Sequence, residues 1–559
     1  MTAQMNRQYG GKLLPVTWLM LAFPAFFYSM VVNLLTFLYA GILVHRARMA
    51  NVNQLVDTTP IPNWVLLFSK FIALVKMQLL LLSIVMIGGI LVQTYNGFYQ
   101  YEIDQYLGTL FGLYLPSMVI WALVALWVQT LLKNPYLGMF LLLMASFGIG
   151  ALKDVGIEQT LFHFNENPDN TLIISYSDLV SYGAGLAPFL VYKFYWFLFG
   201  IFLLLWALLL WVRGLPASFK ERLHIMKTRF RGRLAVGMLI FLGAFITLGG
   251  RLYYEENVLN TFYTEKEENA LQKEIDEQYR HFANTPQPRM VDMTINMHIY
   301  PKERRFKANG VYTLVNKTNQ VIDTLLIEHS DNVETNYTLD KAINLVHKDA
   351  LAHFDIWTFT EGLAPGESTQ LSFEIVNKAN TIFRKNSVVE QNGTYLHSLN
   401  FPSIGWWREA TMPTDSSGLG NMYRSKDADF VDFKATVSTS ADQIAIAPGY
   451  LQKEWTEGNR RYFQYASTNQ VTNDFIFNSG VFEVHKDQWQ DVDLAIYYHK
   501  GHAYNLATMM DGMKAGLAYC SENFAPYQHK KLTIVEFARS LGGFAQSLPI
   551  PCPFLNLIS

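Results

Sequence analysis

Residues Val65–Val92 read VLLFSKFIALVKMQLLLLSIVMIGGILV, and their only charges, Lys70 and Lys76, lie in the first half of the run. As a helix such a stretch spans the roughly 30 Å hydrocarbon core of a bilayer. Lysines near its end can extend their long side chains to water. Working outward, five further apolar runs are predicted to cross: Trp18–Val44, Leu107–Leu132, Tyr136–Leu152, Phe194–Val212 and Leu234–Gly250. Of these, Tyr136–Leu152 is short and contains glycine.

The remainder of the chain belongs to a different solvent. The 559 residues are 50% hydrophobic and 16% charged, against roughly a quarter charged in an ordinary soluble domain. Residues 1–250 carry 25 of the 90 charged side chains and net +7; residues 251–559 carry 65 and net −9, which together give −2. This division excludes a single soluble enzyme, a transporter wholly buried in lipid, and a basic surface for nucleic acid. Two cysteines, Cys520 and Cys552, provide neither a disulfide framework nor a cysteine zinc site.

Orientation follows from the loops, because Lys and Arg accumulate on the cytoplasmic side. Lys220, Arg222, Lys227, Arg229, Arg231 and Arg233 mark the loop before the last run as cytoplasmic. Residues 153–193 are net acidic and are expected outside, as is the loop holding Glu102 and Asp104. Six alternating spans then place residues 251–559 outside the cytoplasm. They also place the N-terminus outside, where Arg7 and Lys12 resist translocation, so either the fourth run is not a true span or, the preferred reading, an upstream helix is missing.

Between the first two runs lie Arg46 and Arg48, then Val56-Asp57-Thr58-Thr59-Pro60-Ile61-Pro62-Asn63-Trp64, then Ser69-Lys70-Phe71. The prolines stop one helix, and Trp64 anchors the chain where it re-enters the membrane. This elbow resembles that of ABC-type export permeases of the drug and polysaccharide class. The resemblance covers about residues 20–250 and implies a separate ABC-type ATPase, since no G-x-x-x-x-G-K-[ST] loop occurs here. The plainer alternative is a set of helices that merely anchors an exported domain.

Beyond residue 250 a charged connector with Leu271 and Ile275 reads as a surface helix, closed by Pro286 and Pro288. The period then becomes two: Val291, Met293, Ile295, Met297 and Ile299 alternate with mostly polar residues, as in a strand buried on one face. Further strands are predicted at Gly310–Val315, Val321–Glu328, Ile356–Thr360, Gln370–Val376, Val431–Ser438, Gln443–Ala447, Arg461–Ala466, Asp474–Phe477, Val481–Val484 and Val492–Tyr498. Many short strands with Gly and Pro punctuation argue for an antiparallel sandwich or saddle. Leu506, Met509, Met510, Met513, Leu517, Cys520 and Phe524 then share one helix face, and Lys531–Phe537 forms a last strand.

Leu363-Ala-Pro-Gly-Glu, Asn523-Phe524-Ala-Pro-Tyr527 and Leu532-Thr-Ile-Val-Glu-Phe occur in the order found in zinc aminopeptidases of the aminopeptidase-N type, and residues 288–548 resemble that family. The resemblance implies a β domain followed by a thermolysin-like domain that begins with a helix and a strand. It also implies that the loop Gly543-Phe-Ala-Gln546-Ser binds substrate, with Gln546 where the family has a Glu that grips the free amino group. Gln offers a hydrogen bond but no charge there. Phe401-Pro-Ser-Ile-Gly405-Trp-Trp resembles the loop closing over the substrate's amino end.

The zinc chemistry itself is missing. A gluzincin needs H-E-x-x-H, two histidines one helical turn apart with a Glu as base, and none of the thirteen histidines has that context. His499 and His502, three apart at a strand-to-helix junction, read as loop hydrogen-bonding residues ahead of zinc ligands. Asn316-Lys-Thr, Asn336-Tyr-Thr and Asn392-Gly-Thr match the glycosylation pattern, which short sequences match often by chance.

The expected architecture is therefore multidomain. Residues 1–250 form an all-α six-helix transmembrane permease-like bundle, 251–287 a linker helix, 288–500 an antiparallel all-β sandwich or saddle domain, and 501–559 the start of an α+β thermolysin-like domain that stops short of the zinc motif. The function expected is a fusion of export permease and aminopeptidase-type module without peptidase activity. The alternative is a non-enzymatic export component whose β domain binds peptides or partners. No cofactor is expected in this chain, with zinc in a full-length relative. Expected partners are the lipid bilayer, an ABC ATPase subunit and peptides; the expected place is the bacterial inner membrane, with residues 251–559 extracytoplasmic.

Overall fold

The computed structural model describes residues 14–165, 176–213, 219–331, 333–377, 388–406 and 430–538, with the short strands Ala545–Gln546 and Phe554–Leu555. The chain divides into two compact units. One comprises Met1–Leu172 and Leu186–Thr264, the other Ile173–Gly185 and Glu265–Ser559.

The first unit is helical: α1 Thr17–Met49, α2 Asn53–Asp57, α3 Asn63–Tyr95, α4 Ile103–Leu107 continuing through a π-helical stretch Gly108–Tyr114 into α5 Leu115–Leu131, α6 Pro135–Gly150, α7 Leu186–Leu210, α8 Phe219–Arg229 and α9 Gly232–Tyr254. Among the described residues five stretches are long and apolar enough to cross a membrane: Met30–Met49, Asn63–Tyr95, Ile103–Leu131, Leu186–Leu210 and Gly232–Leu259. The sixth expected span falls on α6, which has 16 residues. At 1.5 Å per residue it is about 24 Å long, less than the roughly 30 Å core. Ile84, Ile87 and Leu91 on α3, and Leu239, Ile240 and Ile246 on α9, are exposed. Such surfaces suit hydrocarbon rather than water.

Inside this unit the helices are joined by buried polar contacts. Gln78 of α3 donates to Thr36 Oγ1 of α1 (3.1 Å) and to the Met118 carbonyl of α5 (2.9 Å). Tyr106 Oη donates to Gln93 Oε1 (3.0 Å), and Gln93 donates to the Pro15 carbonyl and Thr17 Oγ1. Gln129 donates to the Pro135 carbonyl at the α5–α6 turn (3.1 Å). In an apolar medium such bonds fix which helix faces meet.

The second unit contains α10 Glu265–Tyr279, then β1 Arg289–Tyr300, β2 Arg305–Val315, β3 Ile322–Glu328, β4 Val333–Leu339, β5 Ile343–Asp349, β6 Phe354–Leu363, β7 Ser368–Asn377, β8 Thr394–His397, β9 Ser403–Ile404, β10 Phe430–Ser440, β11 Ile444–Ile446, β12 Tyr450–Glu457, β13 Arg460–Ala466, β14 Val471–Thr472, β15 Ile476–Gly480, β16 Glu483–Trp489, β17 Val492–Tyr498, α11 Leu506–Asn523 and β18 Lys531–Val535. The largest sheet has the order β12-β13-β10-β1-β2-β7-β4, with β14 beside β10. A second sheet runs β5-β6-β3-β9 and a third β11-β15-β8. Met293, Ile295 and Met297 of β1, Tyr312 of β2 and Phe373 of β7 share one core with Leu325 of β3 and Phe477 of β15. The alternation read in β1 is this burial pattern from Met293 to Ile299; Val291 is only partly buried, because a register shift between Met290 and Asp292 puts Met290 in the core instead.

One expectation needs correction. The sheets are not wholly antiparallel, because β1 pairs with β10 in parallel, Ile295 opposite Ala435. The α+β segment is likewise a β17-α11-β18 unit whose strands run parallel, as a helical crossover allows. The face of α11 carrying Leu506, Met510, Met513 and Leu517 packs with Leu494 and Ile496 of β17 and Ile534 of β18. Cys520, expected on that face, is exposed.

Candidate functional site

The three residues singled out by resemblance fall in different places. Gly405 follows β9 with φ +106°, a left-handed conformation that a side chain would resist, and its N–H donates to the Leu326 carbonyl (2.9 Å). On either side the segment is held by aromatic packing. Phe401 lies against Phe475 and Phe477, and Trp406 lies against Tyr279 of α10 and Phe354 of β6. Trp406 is thus a core residue, while Trp407 lies outside the described residues. Gln546 sits in the strand Ala545–Gln546, pairing with Phe554, in the sheet β16-β17-β18 extended by these two short strands. Gly405 and Gln546 therefore belong to different sheets, and Gly543 lies outside the described residues.

The structure instead concentrates buried charge at the end of β17. His502 is buried just before α11 and both of its ring nitrogens are engaged, Nδ1 with Glu536 Oε1 at 2.5 Å and Nε2 with Asp178 Oδ2 at 2.8 Å. The other oxygen of Glu536 accepts the backbone N–H of His499 (2.6 Å). The His502 N–H donates to the His499 carbonyl, closing a turn at the strand-to-helix junction where these residues were expected to make loop hydrogen bonds. Burial alone would lower the His502 pKa, but the two carboxylates outweigh it and raise it to about 9. Asp178 is held below the usual carboxylate range; burial opposes this, and the His502 hydrogen bond and charge overcome it.

Asp178 comes from the segment Ile173–Gly185, which lies between α6 and α7 in sequence yet belongs to the second unit. There the turn is closed by the Ser177 N–H donating to the Ser181 carbonyl (2.9 Å). Leu179 is buried among Ile446, Ile476, Phe482, Val535 and Phe537. Gly393 makes room for it: a Cβ there would lie 3.2 Å from Leu179 Cβ. Sequence reasoning read Asp178 only as loop charge and Glu536 only as part of a strand. The signal for Glu536 was present, since a carboxylate after the apolar run Leu532–Val535 needs a buried partner.

Zinc, which the resemblance implies in full-length relatives, would be held there by two histidines on one helix, and the described helices of this unit do not supply them. Neither α10 nor α11 contains a histidine, so neither can present two imidazoles one turn apart. His502 could ligate a cation only by giving up a carboxylate hydrogen bond. Among the described residues no step through zinc follows. Asn316, one of the three glycosylation matches, is also committed: its buried amide donates to the Gln320 (2.7 Å) and Leu363 (2.8 Å) carbonyls and shapes the β2–β3 turn.

In the helical unit the elbow between α1 and α3 is held from a distance in sequence. Arg213, just after α7, donates to Asn63 Oδ1 (2.7 Å), to the Thr59 carbonyl (3.0 Å) and to the Ile61 carbonyl. This clamp on the proline segment was not legible in the elbow's own residues.

No protein-family model matches the chain, and no curated protein does so either. Among solved structures it is similar to the M1 zinc metallopeptidase from Deinococcus radiodurans, with TM-score 0.35 and 13% identity over 49% of this chain and 61% of that one. A point mutant of that enzyme gives 0.36 at 13% identity with the same coverage, and a mutant bound to a Tyr-Ser-Ala substrate gives 0.35 at 13% over 48% and 60%. The chain thus spans about three fifths of the length of these enzymes. What the described residues define is a chain with membrane-length apolar helices joined to a β-rich unit.

Proposed function

We propose that the chain is an export-type membrane permease, driven by a separate ABC-type ATPase and carrying an extracytoplasmic aminopeptidase-N-like module that recognises peptides or partners without hydrolysing them. In this reading the helices form a six-membered bundle in a bacterial inner membrane, the β domain is a sandwich or saddle, and Gly405, Gly543 and Gln546 take the substrate-binding role that the family resemblance implies.

One observation carries the reading. The turn around Asp178 and Leu179 belongs to the β-rich unit although it is inserted between two membrane helices. A domain merely tethered to an anchor would need only the connection after α9. Here the chain enters the β-rich unit twice, before α7 and after α9, and two crossings return it to the side it left. The polar bonds of Gln78, Gln93 and Gln129 support the same view, since an anchor does not need helices fixed face to face.

The test uses the purified chain in liposomes. Zinc content and turnover of leucine p-nitroanilide are measured, and ATP hydrolysis by the co-reconstituted ABC subunit is followed as short peptides are added. Peptide-stimulated ATP hydrolysis without stoichiometric zinc or anilide turnover is expected. Stoichiometric zinc with turnover contradicts the proposal.

A further inference from the structure

An apolar cavity of about 440 Å³ in the helical unit lies among α7, α8 and α9 and is lined by Phe202, Trp206, Leu209, Met226, Met238 and Lys227. Its size falls in the roughly 300–1,000 Å³ range of pockets that hold small molecules. Apart from Lys227 its lining side chains are apolar, and it lies beside Leu239 and Ile240, which are exposed on the membrane-facing helix α9.

The charges around it are sorted by the fold. Between Phe219 and Arg233 the chain has six Lys or Arg and one acid, Glu221. Two of the six are consumed in holding α8. Arg222 donates to the Thr130 carbonyl (3.0 Å) at the end of α5, and Arg229 to the Trp211 carbonyl at the end of α7. Lys220, Lys227, Arg231 and Arg233 remain exposed, and Lys227 has no anionic partner among the described residues. A cluster of basic side chains directly beside a membrane-spanning helix attracts anionic lipid at about 1 kcal/mol per residue. An apolar slot with a lysine at its rim matches an acyl chain with a phosphate at its head.

We propose that this cavity is a binding site for an anionic phospholipid, one acyl chain lying between α7, α8 and α9 and the headgroup phosphate held by Lys227 with Arg231 and Arg233. The proposal rests on the membrane reading of α7 and α9 and goes beyond the export function, which it does not require.

Trp206 provides a reporter inside the cavity. The full chain is reconstituted in phosphatidylcholine vesicles containing either brominated phosphatidylglycerol or brominated phosphatidylcholine, and the quenching attributable to Trp206 is taken as the difference from Trp206→Phe. Half-maximal quenching of that component is expected at a mole fraction at least about fivefold lower for the anionic lipid, the equivalent of ~1 kcal/mol. Lys227→Glu and, should that variant fold poorly, the milder Lys227→Gln are expected to reduce the preference while total quenching by phosphatidylcholine persists. Equal quenching by the two lipids, or a preference unchanged in both variants, overturns the site while leaving the membrane reading intact. Absence of quenching by either lipid overturns both. Loss of Trp206 quenching accompanied by cross-linking of α8 to a second copy assigns the cavity to a protein contact and overturns the lipid.

Discussion

His502 carries more of the second unit's electrostatics than any residue legible beforehand. Its proton is held by Glu536 and Asp178 strongly enough, against the effect of burial, to raise its pKa to about 9. A raised folded-state value stabilises the fold fully below the ordinary histidine value near 6.5, and that contribution is lost as pH rises through about 9. From 1.36 kcal/mol per unit its size is on the order of 3 kcal/mol. Asp178 behaves oppositely: its value is lowered, so its contribution is present above the ordinary carboxylate range and lost as pH falls through the depressed value. The melting temperature of the second unit is therefore expected to fall between pH 7 and 10, and His502→Gln is expected to flatten that slope. A wild-type profile flat over this interval excludes the charged clamp. Removing the imidazole altogether, as His502→Ala, leaves the buried Glu536 carboxylate and the half-buried Asp178 carboxylate without their shared partner and is expected to cost about 3–5 kcal/mol, measurable as a fall in melting temperature at pH 7. The position of His499 and His502 at a strand-to-helix junction pointed to loop hydrogen bonds. It could not show their partners, because Asp178 is 324 residues away in sequence.

At the level of elements, legibility followed burial. β1, β2, β7, β10 and β17 alternate because one face of each meets a core, and their positions could be read from that period. β5 and β12 were not read as strands. Nearly every residue in them is at least partly exposed, so they form by pairing at sheet edges and leave no apolar alternation. The parallel pairing of β1 with β10 was equally invisible, since period two gives faces but not partners. Glycines mark where elements approach most closely. A Cβ at Gly310 of β2 would lie 2.5 Å from Phe373 Cζ and 2.8 Å from the Thr294 carbonyl oxygen, which is backbone. Gly310→Ala is expected to destabilise the second unit by about 1–3 kcal/mol, seen as a lower urea midpoint, whereas Gly512→Ala on α11, where a Cβ meets nothing within 4 Å and φ is not positive, is expected to leave the midpoint unchanged or raised. In the helical unit a Cβ at Gly138 of α6 would come within 2.5 Å of the Gln129 amide. Gly138→Val is accordingly expected to loosen α5 from α6 and shorten the half-life of the detergent-solubilised chain at fixed temperature; an unchanged half-life argues against that packing.

For the whole molecule, the division of charge at residue 250 anticipated two solvents, and the described residues contain five helices long and apolar enough to cross a membrane, where six spans were expected, and a β-rich unit. What composition could not reveal is that the second unit takes a segment from inside the first's sequence. Apolar content marks spans, whereas the segment's place in the second unit shows only in the partners that Leu179, Val180 and Asp178 find far along the chain. The functional account depends on this arrangement and on its orientation. Cys520 is exposed on α11 and offers a direct probe. In the Cys552→Ser chain, with α8 carrying Lys227→Cys in a parallel Cys520→Ser variant, a membrane-impermeant maleimide is applied to intact cells and to inverted vesicles. Labelling of Cys520 from outside the cell, with position 227 labelled only in inverted vesicles, is the expected result; Cys520 reached only from the cytoplasmic side contradicts the account.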